Sequence, residues 1–167
     1  MQDRGIPHRI VPPPPPGWPS WEDVMAEALT EARKAGEAGE TPVGAVVLSG
    51  HGDILGKAGN AVESLCDPTA HAEILALRAA SQEAGNYRLE GCFLVATLEP
   101  CLMCAGAAAH ARVAGVVYGA YDVRAGAVES RLDGLEVPFL THYPWHMGGI
   151  CATECADLLR SFFSARR

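Results

Sequence analysis

Positive charge is scarce in this sequence. Thirteen Lys and Arg stand against twenty Asp and Glu in 167 residues, a formal net charge of −7. That deficit argues against a protein whose whole surface grips polyanions. Long apolar runs are also missing: 49% of residues are hydrophobic, yet no stretch is long enough to cross a bilayer. The N-terminus has no apolar core of a secretory signal, so a cytoplasmic protein with no membrane attachment is expected. The six cysteines would pair outside the cell, but a C-x-x-C with a histidine partner argues for metal in a reducing compartment. The length suits one domain with a substantial core.

The charge is unevenly spread. Between residues 20 and 40, Glu22, Asp23, Glu27, Glu31, Glu37 and Glu40 face only Arg33 and Lys34. At the other end, Arg160, Arg166 and Arg167 outnumber Asp157. A phosphate backbone can meet that basic end while the acidic helix faces away, although a charged helix face is often simply solvated.

Pro7, Pro12 to Pro16 and Pro19 crowd the first nineteen residues. Such a stretch favours extended polyproline and makes no packed core. Residues 1–19 are therefore expected to be a flexible tail and 20–167 the folded domain. Ser20, with Asp23 three residues on, caps a helix that carries Val24, Met25, Ala28, Leu29 and Ala32 on one face and stops at Gly36. Strands are expected at 43–48 and 54–59, joined by a turn over 49–53. A third strand spans 92–97, an Ala-rich helix 101–111 and a fourth strand 115–118. A strand, helix, strand order of this length implies a parallel crossover. A last helix over 153–164 has Leu158, Leu159, Phe162 and Phe163 as its apolar side. The expectation is an α/β fold of three layers, with a mixed sheet between helices.

Two short stretches carry the chemistry. Pro68-Thr69-Ala70-His71-Ala72-Glu73 is answered about thirty residues later by Glu99-Pro100-Cys101-Leu102-Met103-Cys104. His71, Cys101 and Cys104 are donors of the kind zinc takes, and three protein donors plus a water make a catalytic site. Cys101 and Cys104 share a helix face, behind a proline suited to a first turn. A helix N-terminus there favours thiolate. Asp67 and Thr69 are candidate caps for the helix that His71 opens. Glu73 is about 200° around that helix from His71, so it flanks the metal better than it ligates it. A zinc-bound water has its pKa lowered towards about 7, and a carboxylate beside it can move the proton to a leaving amine. Each half alone is ambiguous, since C-x-x-C also reads as a redox pair or half a zinc finger. Together, in this order, they match H-x-E…P-C-x-x-C, the known zinc-deaminase signature with Glu as acid and base.

The likeness extends beyond the signature. Pro42-Val43-Gly44-Ala45, Asn60, Asp67 to Ile74, Asn86-Tyr87-Arg88-Leu89, Thr97 to Ala107 and the tail Glu154-Cys155-Ala156 resemble the bacterial tRNA adenosine deaminase family over roughly residues 20–167. That resemblance implies the cytidine-deaminase fold and adenosine-to-inosine conversion at the wobble position of a tRNA anticodon loop. It also implies one zinc per subunit, a tRNA anticodon stem-loop partner and a homodimer. It gives Asn60 a role at the purine edge and Val43 packing on the base, and it sets Asp122 near the flanking nucleotide. Without it, Asn60 would read as a turn residue and Val43 as strand core. Tyr121 stands where the family has Arg, and Arg124 where Lys is usual, so this part of the RNA surface departs from the family pattern.

Two other readings stay open. One keeps the zinc but takes a free base or nucleoside, guanine or cytosine; the acidic charge favours it. The other is a non-catalytic zinc scaffold subunit, which the presence of Glu73 opposes. Cys66 is the best candidate for a fourth, site-closing ligand, while His110 points elsewhere on its helix. His142, His146, Cys151 and Cys155 have spacings compatible with a second metal, although spacing alone produces many such patterns.

Overall fold

A computed structural model describes residues 12–166 of the chain. Residues 1–11, most of the expected tail, lie outside the described residues. From Pro12 onward the segment is docked on the body. Pro15 is buried, Trp18 Nε1 donates to Gly52 O (2.7 Å) and Trp21 Nε1 donates to Pro12 O (2.9 Å). Two indole N–H groups thus fasten a proline stretch whose carbonyls have no strand of their own to bond.

The elements run α1 (Trp21–Glu37), β1 (Gly44–Leu48), β2 (Ile54–Gly59), α2 (Val62–Leu65), α3 (Ala72–Ala84), β3 (Phe93–Leu98), α4 (Leu102–His110), β4 (Gly115–Ala120), β5 (Trp145–Met147) and α5 (Ala152–Ser164). The sheet order is β2-β1-β3-β4-β5. β1 pairs antiparallel with β2 and β3, whereas β3–β4 and β4–β5 are parallel. The expected crossover is β3–α4–β4.

Strand periodicity divides the core in two. Ala45, Val47, Leu94, Ala96, Val116 and Tyr118 point to one face, where Ala72, Ala76, Leu77, Ala80, Ala105 and Ala108 of α3 and α4 cover them. Val46, Leu48, Val95 and Val117 point to the other face, beneath Trp21, Val24, Met25, Ala28 and Leu29 of α1 and Cys155 of α5. Each such large side chain contributes about 1.5–3 kcal/mol on burial, and alternation is what lets one strand feed two layers. The architecture is the three-layer α/β/α fold with an open mixed sheet.

Helix α1 starts as expected: Asp23 N donates to Ser20 Oγ (3.2 Å), which itself donates to Asp23 Oδ2 (2.6 Å). The start of α3 differs from expectation. His71 itself is the N-cap, with no side-chain cap bond. Asp67 Oδ1 instead accepts from Thr69 N and Thr69 Oγ1 within its own turn (2.8 and 2.7 Å). The aromatic stretch around Trp145 forms the sheet edge: β5 is a short parallel strand, with Trp145 packed on Trp21 and Phe93. The apolar side of α5 is only partly used. Leu158 and Leu159 are half-buried and Phe163 is 52% exposed. Among the described residues no helix is long and apolar enough to cross a membrane.

Helices reach the sheet closely only where side chains vanish. A Cβ on Gly44 would strike Ala28 O of α1, and one on Gly56 would strike Ala76 O and Ala80 N of α3. Backbone cannot yield as a flexible side chain does. We expect Gly56→Ala to push α3 off β2 and to cost about 1–3 kcal/mol. Urea unfolding checks this, and an unchanged midpoint would contradict the close-packing argument.

Candidate metal centre and pocket

The β2–α3 connection and the end of β3 deliver the two halves of the motif. His71 and Cys101 are the N-cap residues of α3 and α4, each with extended backbone and no side-chain cap bond. Both side chains are thereby available to face outward from helix starts, where the dipoles favour anionic sulfur. His71 Nδ1 lies 3.6 Å from Cys101 Sγ and 3.6 Å from Cys104 Sγ. Tetrahedral zinc with the usual Zn–S and Zn–N lengths holds N and S about 3.6 Å apart, so the donors fit that ion. Their ligand atoms all lie within 4.8 Å of one another, and among the described residues no fourth His, Cys, Asp or Glu joins the group. Cys66, the candidate fourth ligand, is exposed in a left-handed turn with its sulfur 3.6 Å from Glu63 O.

Hydrogen bonding and burial set the two thiols apart. The hydrogen bond from the Cys104 thiol, helped by amides of Cys104 and Met103, lowers the Cys101 pKa to about 5. Cys104, the donor in that bond and itself buried, is pushed up. Glu73 is 4% exposed. Burial raises its pKa above the usual carboxylate value, and the neighbouring Cys101 adds to the rise.

Above the group lies a cavity of about 340 Å³, within the range of small-molecule sites. His71, Glu73 and Cys101 line it together with Val43, Asn60 and Asp122. Of the seven candidate site residues only Cys104, fully buried beneath, is not on the wall. Asn60 N donates to Val43 O (2.9 Å), which joins two of the candidates through backbone. Asp122 is partly committed to its own turn, since Oδ1 accepts from Arg124 N and Ala125 N (2.9 and 3.1 Å). Tyr121 is 48% exposed and packs edge-on against Tyr118 at 5.4 Å.

The four residues considered for a second metal do not converge into a metal group among the described residues. His142 Nε2 is 2.6 Å from Val113 O, His146 faces Glu129 at 3.4 Å, and Cys155 is buried against Gly119. His110 is exposed at the end of α4.

Two buried glutamates on the wall, Glu40 and Glu99, have no role in the sequence reading; both are 2% exposed. Glu40 accepts from Ser64 N (2.7 Å), Glu63 N (3.3 Å) and Asn60 Nδ2 (3.2 Å). It thus caps α2 and orients the Asn60 amide. The Ser64 amide leads in holding its pKa below the ordinary value, against the effect of burial. Burial pushes Glu99 up, but bonds from Ser130, Glu129 and Asp122 outweigh it and hold the carboxyl low. In the sequence Glu40 counts as one more acid of an acidic helix. The available signal was its position two residues before Pro42-Val43-Gly44, beyond the helix end.

A metal group at two helix starts, with a buried glutamate on the same pocket wall, is what a metal-dependent hydrolase of the deaminase type requires. Residues 19–120 match the cytidine and deoxycytidylate deaminase zinc-binding region, and the chain belongs to that family. It is 44% identical to a tRNA-specific adenosine deaminase of Agrobacterium fabrum over 143 residues, covering 86% of this chain and 93% of the relative. A solved structure from a study of A-to-I editing by tRNA:A34 deaminases is similar at TM-score 0.78 and 44% identity, covering 81% of this chain and 97% of that one. A guanine deaminase from Nitrosomonas europaea is similar at TM-score 0.76 and 26% identity, with coverages of 92% and 88%.

Removing the Glu40 acceptor leaves two α2 amides and the Asn60 amide without it. In Glu40→Ala we expect faster hydrogen exchange at Glu63 and Ser64 than in the unaltered chain. Equal protection at both positions would contradict the capping role.

Proposed function

We propose that this protein is a zinc hydrolase that converts adenosine to inosine at the wobble position of a tRNA anticodon loop. The observation that carries this is the three-donor group opening onto a pocket whose wall also holds buried Glu73. The 44% identity to a tRNA-specific adenosine deaminase supports the choice of substrate.

His71 Nδ1, Cys101 Sγ and Cys104 Sγ would hold one zinc per subunit. When bound, zinc supplies a Lewis acid that brings the pKa of a water from about 15.7 towards about 7. Glu73 would take a proton from the attacking water and hand it to the ring nitrogen, then take the proton of the newly attached hydroxyl and deliver it to the amine. The new C–O bond replaces the C–N bond, and ammonia leaves. Burial raises the proton affinity of Glu73, which suits a group that must both accept and donate. Asn60, with its amide oriented by Glu40, meets the purine edge. Val43 packs on the ring, and Asp122 meets the flanking nucleotide. Bases of a single-stranded loop are splayed out and pocketed one at a time. A cytoplasmic location agrees with six cysteines that are all free.

A homodimer completes the proposal. On α4, exposed Leu102 and His110 flank Gly106, whose open side has nothing within 4 Å of an added Cβ. Beside it runs a groove lined by Ile74, Leu77, Arg78 and Ala107. Small residues allow a second copy to approach closely. Leu102→Glu is expected to sediment as a monomer where the unaltered chain is a dimer; an unshifted dimer would remove α4 from the interface.

The guanine deaminase similarity and the net charge of −7 favour a second reading, a free purine base as substrate. The experiment is inosine release from an unmodified tRNA transcript, at several salt concentrations, by the unaltered chain and Glu73→Ala. Glu73→Ala should keep its zinc and lose turnover by at least about 10²–10⁴-fold. Activity on tRNA should fall steeply with salt. An active Glu73→Ala protein defeats the assigned mechanism. Activity on guanine alone, indifferent to salt, selects the second reading.

A further inference from the structure

Glu99 ends β3 and directly precedes Pro100 and Cys101. Its carboxylate is met by five donors from one loop. Asp122 N (3.0 Å) and the Ser130 hydroxyl donate to Oε2, and Val128 N (3.1 Å), Glu129 N (2.8 Å) and Ser130 N (2.8 Å) donate to Oε1. The backbone on either side is laced to the same loop and to the end of β4. Ala127 N donates to Pro100 O (2.9 Å), Cys101 forms an isolated antiparallel bridge with Gly126, and Glu99 N donates to Ala120 O (2.8 Å). A Cβ on Gly126 would strike the Glu99 carboxylate, so the loop backbone lies directly against it.

A buried carboxylate is costly unless its lone pairs are met. Here they are met by amides 23 to 31 positions away rather than by groups of its own strand. The anchored loop carries Asp122 and Ala125, both on the pocket wall. The residue holding that wall is two positions from a metal donor. The metal half-site and one side of the pocket are therefore tied together by hydrogen bonds.

We propose that Glu99 is a positioning residue, which fixes the 122–130 loop against the Cys101 half-site so that the target base and its neighbour enter in one register. This rests on the nucleic-acid substrate proposed above, and it adds a residue whose carboxylate is committed to the loop. A purely architectural glutamate would affect stability alone. A positioning one affects how substrate is held.

The test uses Glu99→Gln, Ser130→Ala and Ser130→Thr, each loaded with zinc. Glu99→Gln keeps the size but turns N–H groups towards N–H donors. Ser130→Ala removes one donor and leaves the carboxylate, and Ser130→Thr restores the hydroxyl. In Glu99→Gln, amides 122 and 128–130 should exchange faster by about tenfold or more, with zinc content unchanged. For an anticodon stem-loop, KM should rise by a larger factor than kcat falls. Ser130→Ala should shift the same way by less, and Ser130→Thr should match the unaltered chain. If Glu99→Gln does not fold, the two Ser130 variants decide. Unchanged exchange at these amides overturns the proposal, as does faster exchange with KM unaltered. Loss confined to zinc content overturns it as well. The exchange measurement needs no substrate. An unaltered chain inactive on the stem-loop would therefore refute the substrate assignment separately from the loop attachment.

Discussion

Three donor atoms from segments thirty residues apart meet because α3 and α4 start side by side on one face of the sheet. Both helices leave their strands at the same end, and both begin at a residue of the motif, His71 in one case and Cys101 in the other. Alanines at 72, 76, 80, 105 and 108 keep the two helices low on the strands. Larger residues there would lift the helices off the strands, whereas coordination fixes the donor spacing to a few tenths of an ångström. The centre is therefore as accurate as the packing beneath it.

The pocket holds three buried glutamates in three different electrostatic settings. Glu40 and Glu99 are each surrounded by N–H donors and stay below the ordinary carboxylate pKa. Glu73 is buried without such a shell, and its pKa rises. The side chain is the same in all three; the donors around it, the depth of burial and the neighbouring charges differ. The first two are fixed anions that fasten backbone, one at α2 and Asn60, the other along the 122–130 loop. The third, buried beside the metal donors, has its proton affinity raised. Environment, rather than residue type, separates scaffold from chemistry.

Both fasteners act on loops. α2 is four residues long and buries none of its side chains. The 122–130 stretch contains exposed Tyr121 as its neighbour and exposed Val123. α2 has no buried side chain to hold it, and the 122–130 loop has only Ala127 and Val128 in the core, so hydrogen bonds to a buried anion add to the order of both. The pocket combines a rigid metal end, built from helix starts, with walls whose shape depends on two carboxylates.

The pattern of residues alone was enough for the hairpin of β1 and β2, the β3–α4–β4 crossover, the cap of α1 and the two halves of the metal motif. Those features depend on neighbours within a few positions, where periodicity, turn residues and spacing are visible. The edge strand β5 was not legible, because three residues are too short to establish a period. Glu40 and Glu99 were not legible as anchors for a different reason. Their partners are backbone amides 23 to 31 residues away, and an amide looks the same at every position of a sequence. The cap of α3 was misread for a related reason: Asp67 could serve either the helix or its own turn, and only the folded loop chose. Local chemistry thus determined which residues could bind metal and move protons. Tertiary structure decided which acids became anchors, because only folding settles which distant N–H groups a buried carboxylate meets.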